Sequence, residues 1–298
     1  MNNKKKGILF IILSALCFAT MNTFVKLAGD LPSIQKSFFR NLVAILFALA
    51  VLKKEHLPLR WQKGNLPYLL LRSTFGTIGI LCNFYAVDHL LLSDASMLSK
   101  LSPFFAIIFS FLLLKEKVTL FQGFAIITAF IGSLFIIKPS FASASFQPAL
   151  VGLCGAMGAG CAYTLVRYLS SRKEKGPFIV FFFSTFSCLA TLPYMLFSYH
   201  PMTLKQLGFL LLAGLAASGG QFAVTAAYSN APAKEISVYD YSQVIFAAIM
   251  GFFLFGQIPD ALSFVGYFII CGISIVMFLY NTGKWPSAAK HSNAASKS

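Results

Sequence analysis

The chain has 298 residues, of which 57% are hydrophobic and 11% charged, with a mean hydropathy of +0.75. A soluble domain carries about 25% charged residues, so this composition excludes a water-soluble globular protein and predicts one folded unit in a membrane. The formal net charge of +15 would suggest nucleic acid in a soluble chain, but here it sits in loops between apolar runs, and no nucleic-acid partner is expected.

A membrane span needs about 20 mostly apolar residues. Ten runs qualify: 7–28, 33–52, 67–87, 92–114, 118–137, 148–170, 177–199, 204–227, 233–255 and 261–280. They are too long and too uniformly apolar for barrel strands, so each is read as a helix.

Taken in order, span 1 follows Lys4-Lys5-Lys6 and is too long for a cleaved signal segment. Helical spacing puts Ala15, Ala19, Asn22 and Lys26 on one of its faces. Span 2 is apolar apart from Lys36 near its start and Arg40. Span 3 aligns Arg72, Gly76, Gly79 and Asn83, and span 4 aligns Ser96, Lys100 and Pro103. Span 5 is apolar. Span 6 holds the glycine-rich stretch 152–160 and aligns Ala156, Gly160, Tyr163 and Arg167; no Lys-Ser or Lys-Thr follows, so this is no phosphate loop. Span 7 is apolar. Span 8 aligns Gly214, Ser218, Gln221 and Thr225. Span 9 aligns Asp240, Gln243, Ala247 and Gly251, with Tyr239 and Tyr241 flanking Asp240. Span 10 is apolar, and residues 283–298 read as a disordered tail.

Loop charges orient the spans. With the N-terminus inside, the inner segments hold Lys53, Lys54, Arg60, Lys63, Lys115, Lys117, Arg172, Lys173, Lys175 and Lys234, whereas the outer loops hold only Lys138 and Lys205. Both termini are therefore expected in the cytoplasm.

Charges in hydrocarbon are costly and face a cavity or a partner. Lys26, Lys36 and Arg167 lie near span ends, where a long side chain snorkels to the interface. Arg40, Lys100 and Asp240 lie roughly 11 Å deep at helical rise and are expected to face a cavity; Asp240 reads as the one acid well inside a span. Gly76, Gly79, Gly155, Gly158, Gly160, Gly219 and Gly220 read as helix-packing seams. The polar stripes fall on spans 1, 3, 4, 6, 8 and 9, which predicts an inner ring of six helices with spans 2, 5, 7 and 10 outside. The six cysteines fall inside spans without zinc-like spacing, and the four histidines lie in loops or the tail. No metal or cofactor is expected.

The chain also repeats. A shift of 141 brings Ala15 onto Ala156, Thr23 onto Thr164, Lys26 onto Arg167, Gly79 onto Gly220, Asp94 onto Glu235 and Phe105-Ala106 onto Phe246-Ala247. About fifteen identities fall over roughly a hundred ungapped residues, where about eight are expected by chance. Each copy holds five spans, so the second must be upside down relative to the first. The expected fold is an all-α integral membrane protein of ten transmembrane helices as two inverted five-helix repeats, residues 1–141 and 142–282. Such a layout points to alternating access.

Three stretches resemble the EamA family of the drug/metabolite transporter superfamily. They are Phe38-Phe39-Arg40-Asn41; the run from Asp94-Ala95-Ser96 through Leu101-Ser102-Pro103-Phe104 to Lys115-Glu116-Lys117; and Tyr241-Ser242-Gln243-Val244 through Phe255-Gly256-Gln257. The resemblance implies movement of small metabolites, amino acids or drugs by alternating access, coupled to protons or by exchange. It also implies a cavity formed by spans 1, 3, 4, 6, 8 and 9. Two departures stand out: Val244 replaces the copy of Pro103, and Gln257 replaces the copy of Glu116. The second half is therefore expected to bend less.

The expected function is secondary active transport of an anionic or zwitterionic solute, amino-acid-like or adenosylmethionine-like, across the cytoplasmic (inner) membrane. The alternative is efflux of broad specificity. Lys100 and Arg40 would attract a carboxylate or phosphate, and Asp240 would take a substrate amine or a coupling proton. Asn22, Asn83, Tyr163, Gln221, Tyr239, Tyr241 and Gln243 would orient the solute. Asp240 could instead be a structural partner of Lys100. No nucleophile–base or paired-acid site is visible at membrane depth, so no enzyme is expected. A passive channel or scaffold is the weaker alternative.

Overall fold

In a computed structural model, residues 3–115, 118–138, 145–230 and 237–281 are described. Glu116, Lys117, Lys234, Glu235, the start of span 9 and the tail 283–298 lie outside them, as does the side chain of Thr225. The helices are α1 (Asn3–Leu27), α2 (Ser33–Lys54), α3 (Leu66–His89), α4 (Leu92–Ser99), α5 (Ser102–Leu114), α6 (Leu120–Ile137), α7 (Phe146–Ser171), α8 (Gly176–Phe197), α9 (Leu204–Asn230), α10 (Ser242–Phe255) and α11 (Ala261–Asn281). A 3₁₀ turn, Ser237–Tyr241, leads into α10. Taking α4 and α5 as one span, nine spans among the described residues are long and apolar enough to cross a membrane, and Tyr239–Phe255 is a shorter apolar tenth.

Span 4 is interrupted, and the described part of span 9 opens on the 3₁₀ turn. In span 4 the break falls at Lys100 and Leu101, whose amides bond three residues back to Met97 and Leu98 (3.0 Å each). Pro103 lacks the N–H that would reach the Ser99 carbonyl. In span 9 the tight turn ends at Tyr241, the counterpart of Lys100, with no proline nearby. Tyr241 Oη donates to the Lys100 carbonyl oxygen (3.3 Å) and accepts from Ser274 Oγ (2.5 Å), so side chains hold this break where the first copy uses proline.

The neighbour relations survive exchange of the two halves. The α1–α9 packing is matched by α7–α3, α5–α7 by α10–α1, and α2–α9 by α8–α3; α2–α8, α6–α11 and α4–α10 pair across the halves. Among the nine long spans α7 is the most buried and α11 the least; α2, expected outside, is buried as much as α9, expected inside.

Small residues set the closest approaches. A Cβ on Gly158 would lie 2.9 Å from the Phe75 carbonyl oxygen of α3, and one on Gly160 would lie 2.7 Å from the Ser102 oxygen of α5. These glycines are packing seams, because a methyl group there would meet backbone.

Contacts at helix ends respect the alternating topology. On the side of the α1–α2 turn, Lys36 Nζ pairs with Asp88 (2.6 Å), Lys26 Nζ donates to the Val87 and Leu90 carbonyls that end α3, and Gln35 meets the His200 backbone. On the basic side, Glu174 accepts from Gln62 N and Asn65 Nδ2. Lys36 is 0% exposed. It does not snorkel as expected, because Asp88 gives its ammonium a partner inside the fold.

Candidate functional site

The two broken spans meet at their breaks. Lys100, which ends α4, places Nζ 2.6 Å from Asp240 Oδ2 in the 3₁₀ turn. The Asp240 side chain keeps 29% exposure, whereas Lys100 is nearly covered. The pair is therefore accessible from its Asp240 side.

A second group of charges lies nearby. Arg40 of α2 and Arg72 of α3 are within electrostatic range of each other and of Tyr163 on α7, and Tyr163 is in turn within range of Asp240. The Arg72 guanidinium lies over the Phe183 ring of α8, 3.8 Å from its centroid. Gly76 makes room for this stack, since a Cβ there would lie 2.9 Å from Phe183 and 3.1 Å from Arg72 Nη1. Arg40 Nη1 donates to Asn41 Oδ1 (2.7 Å). Arg40 Nε and Arg72 Nε and Nη1 are sealed from solvent without a hydrogen-bond partner among the described residues. Buried guanidinium N–H groups left unpaired are costly, and both arginines share Tyr163 as an electrostatic neighbour.

Tyr163 is 58% exposed and lies within electrostatic range of Asp240, Arg72 and Arg40. Tyr239, next to Asp240 in the 3₁₀ turn, is 39% exposed.

The other predicted residues divide. Asn83 Nδ2 donates to Asn22 Oδ1 (3.3 Å), joining α3 to a buried position on α1. Tyr241 is committed to the break and Gln243 is buried at the start of α10. Gln221 is half-buried on α9.

Sequence reasoning missed several polar groups. Asp94, 5% exposed, accepts from Tyr267 Oη of α11 (2.5 Å), so Asp240 is not the one acid that matters inside the spans. Gln257 Oε1 accepts from Leu92 N (2.9 Å), tying the turn after α10 to the start of α4. Ser263, Tyr267 and Ser274 share a stripe on α11, at spacings of four and seven, that was legible in span 10.

The match to known proteins is broad. Residues 5–138 and 147–279 each match the EamA-like transporter family, one match per half. The pseudopaline exporter CntI of Pseudomonas aeruginosa is 34% identical over 264 residues, covering 88% of this chain and 92% of that protein. The riboflavin transporter of Vibrio cholerae is 28% identical, covering 89% and 90%. Solute carrier family 35 member G1 of Mus musculus is 27% identical, covering 85% and 73%. One crystal structure, 14% identical, shares the fold with a TM-score of 0.64 over 93% of this chain and 98% of its own.

Proposed function

Because the chain belongs to the EamA-like transporter family, and is thus a multi-pass membrane transporter of small metabolites and not an enzyme, we propose that its solute is anionic or zwitterionic. The observation that carries this reading is the excess of basic groups around the exposed Tyr163 ring. Lys100 is balanced by Asp240, which leaves Arg40 and Arg72 with no carboxylate among the described residues. A carboxylate or phosphate from the solute would satisfy those guanidinium donors in the fork geometry that suits arginine. A solute amine would lie on the Asp240 side.

We further read the two halves, 1–141 and 142–282, as inverted repeats that exchange roles during alternating access. The exchange symmetry of the helix contacts and the two family matches support this. The basic face is read as cytoplasmic and the membrane as a bacterial inner membrane, following the loop charges. On the opposite face Lys26, Gln35, Lys36 and Gln257 draw helix ends together, while Tyr163 and Tyr239 lie toward the basic end of their helices. The geometry suits a state open to the basic face. Export is favoured over uptake by the 34% identical relative named as an exporter. Coupling is to protons or by exchange.

The test is flux in proteoliposomes with labelled metabolites bearing carboxylate or phosphate groups, compared with cationic ones. Anionic solutes are expected to move, and Arg72→Gln to lower apparent affinity by about tenfold or more, the size of a lost charge-assisted hydrogen bond. Selective flux of cations, unaffected by Arg40→Gln or Arg72→Gln, would sink the proposal.

A further inference from the structure

Of the described acidic residues, Asp94 has partners of a different kind from the rest. Asp30 and Glu55 are exposed. Asp88 pairs with Lys36, Asp240 with Lys100 and Asp260 with Lys138, each at 2.6 Å. Glu174 accepts from a backbone amide and an asparagine amide. The ammonium and N–H groups among those partners can only donate, so they favour an acceptor oxygen and oppose a protonated one. Around Asp260 the effect is plain. The Lys138 ammonium, helped by the Ser263 backbone N–H, holds that carboxyl below the usual carboxylate range.

Asp94 is buried, and no basic group lies within ion-pair distance of it among the described residues. Its partners are hydroxyls: Tyr267 Oη at 2.5 Å, with Ser263 of α11 also against it. A hydroxyl donates to a carboxylate and, turned round, accepts from a carboxylic acid. This cage satisfies both states at little structural cost. It also has an aqueous connection. Lys138 Nζ lies 3.1 Å from Ser263 Oγ and 2.6 Å from the exposed Asp260, on the face opposite the basic one. The charged and titratable groups acting most strongly on Asp94 are Tyr267 of α11, Lys138 at the end of α6, and Asp260 in the turn before α11.

We propose that Asp94 is the proton-binding residue of the transport cycle, in place of Asp240. The proposal rests on the transporter reading above. One proton passes from water on the Asp260 side, by way of the Ser263 hydroxyl, to the Asp94 carboxylate, and leaves again when the opposite state forms. Asp94 lies in the first turn of the eight-residue helix α4, and Lys100 caps the C-terminal end of the same helix. A change in the Asp94–Tyr267 bond is thereby carried to the Lys100–Asp240 pair. α11 supports the transmission, since it holds Asp94 through Tyr267 and the second break through Ser274.

The probe is the proton itself. Infrared difference spectra of the full chain in lipid, taken across a pH series, follow the C=O stretch of a protonated carboxyl. A titrating carboxyl band is expected in wild type and in Asp240→Asn, and is lost in Asp94→Asn. Tyr267→Phe, which keeps the carboxyl but removes one hydroxyl, is expected to move its midpoint. A band that survives in Asp94→Asn, a wild type with no titrating band, or a midpoint unmoved in Tyr267→Phe would each overturn the assignment. Should Asp94→Asn fail to fold, the Tyr267→Phe shift decides alone. No solute enters the experiment, so its failure and the failure of the anionic-solute reading are distinguishable.

Discussion

At the scale of single residues, the membrane interior decides what each charge does. Lys36 is wholly buried against Asp88. Removing one member of such a pair strands the other in low dielectric, at a cost of about 3–5 kcal/mol, while replacing both with apolar groups is often close to neutral. Lys36→Met is therefore expected to lower the melting temperature sharply, and Lys36→Met with Asp88→Leu to recover most of the loss. A double variant no more stable than the single one would show that the pair does not act as a unit. The sequence supplied the depth of these residues but not their partners. Lys36 and Asp88 lie 52 positions apart on different spans, and nothing in the local pattern joins them. Lys100 and Asp240 could be paired in advance because both are charges of opposite sign deep inside their spans. Arg72 stood out in sequence only as part of the span 3 stripe, and its membership of the charged cluster depends on how α3 faces α7 and α8.

At the scale of helices, glycine spacing sets how near two backbones come. Gly160 faces α5 so closely that a Cβ would lie 2.6 Å from Phe105 Cβ and 2.7 Å from the Ser102 carbonyl oxygen, whereas Gly123 in α6 has nothing within 4 Å. Gly160→Val is expected to separate α7 from α5, at about 1–3 kcal/mol or more for overpacking, and to reduce the yield of folded protein. Gly123→Ala, an open helical site, is expected to stabilise by a few tenths to about 1 kcal/mol. Equal melting temperatures for the two variants would contradict the seam. The ten spans were legible because length and hydropathy fix them. The second break was not, because Tyr241 holds it through hydroxyl contacts with Lys100 and Ser274 and no proline marks it. Span 10 was assigned to the outside for its apolar composition, yet its one polar stripe touches both broken spans.

At the scale of the whole molecule, the two halves keep the same neighbours when exchanged, but the chemistry they carry is unequal. The first half supplies Arg40, Arg72 and Lys100, and the second supplies Asp240 and Tyr163. In the proposed cycle a cavity lined by both would be polarised, with its basic wall from one half and its acid from the other. Alternating access, as proposed, would move these walls relative to each other, so a solute bridging them would be held in one state and loosened in the next. The measurement that tests this most directly is a thermal-shift screen of purified protein in detergent against a metabolite panel, run on wild type, Arg72→Gln and Lys100→Ala together. A ligand present at 100 times its Kd stabilises by about 2.7 kcal/mol. The account predicts that carboxylate- or phosphate-bearing solutes raise the wild-type melting temperature by a few degrees and leave Arg72→Gln unmoved. Stabilisation by cationic or uncharged solutes alone, equal in wild type and both variants, would contradict it.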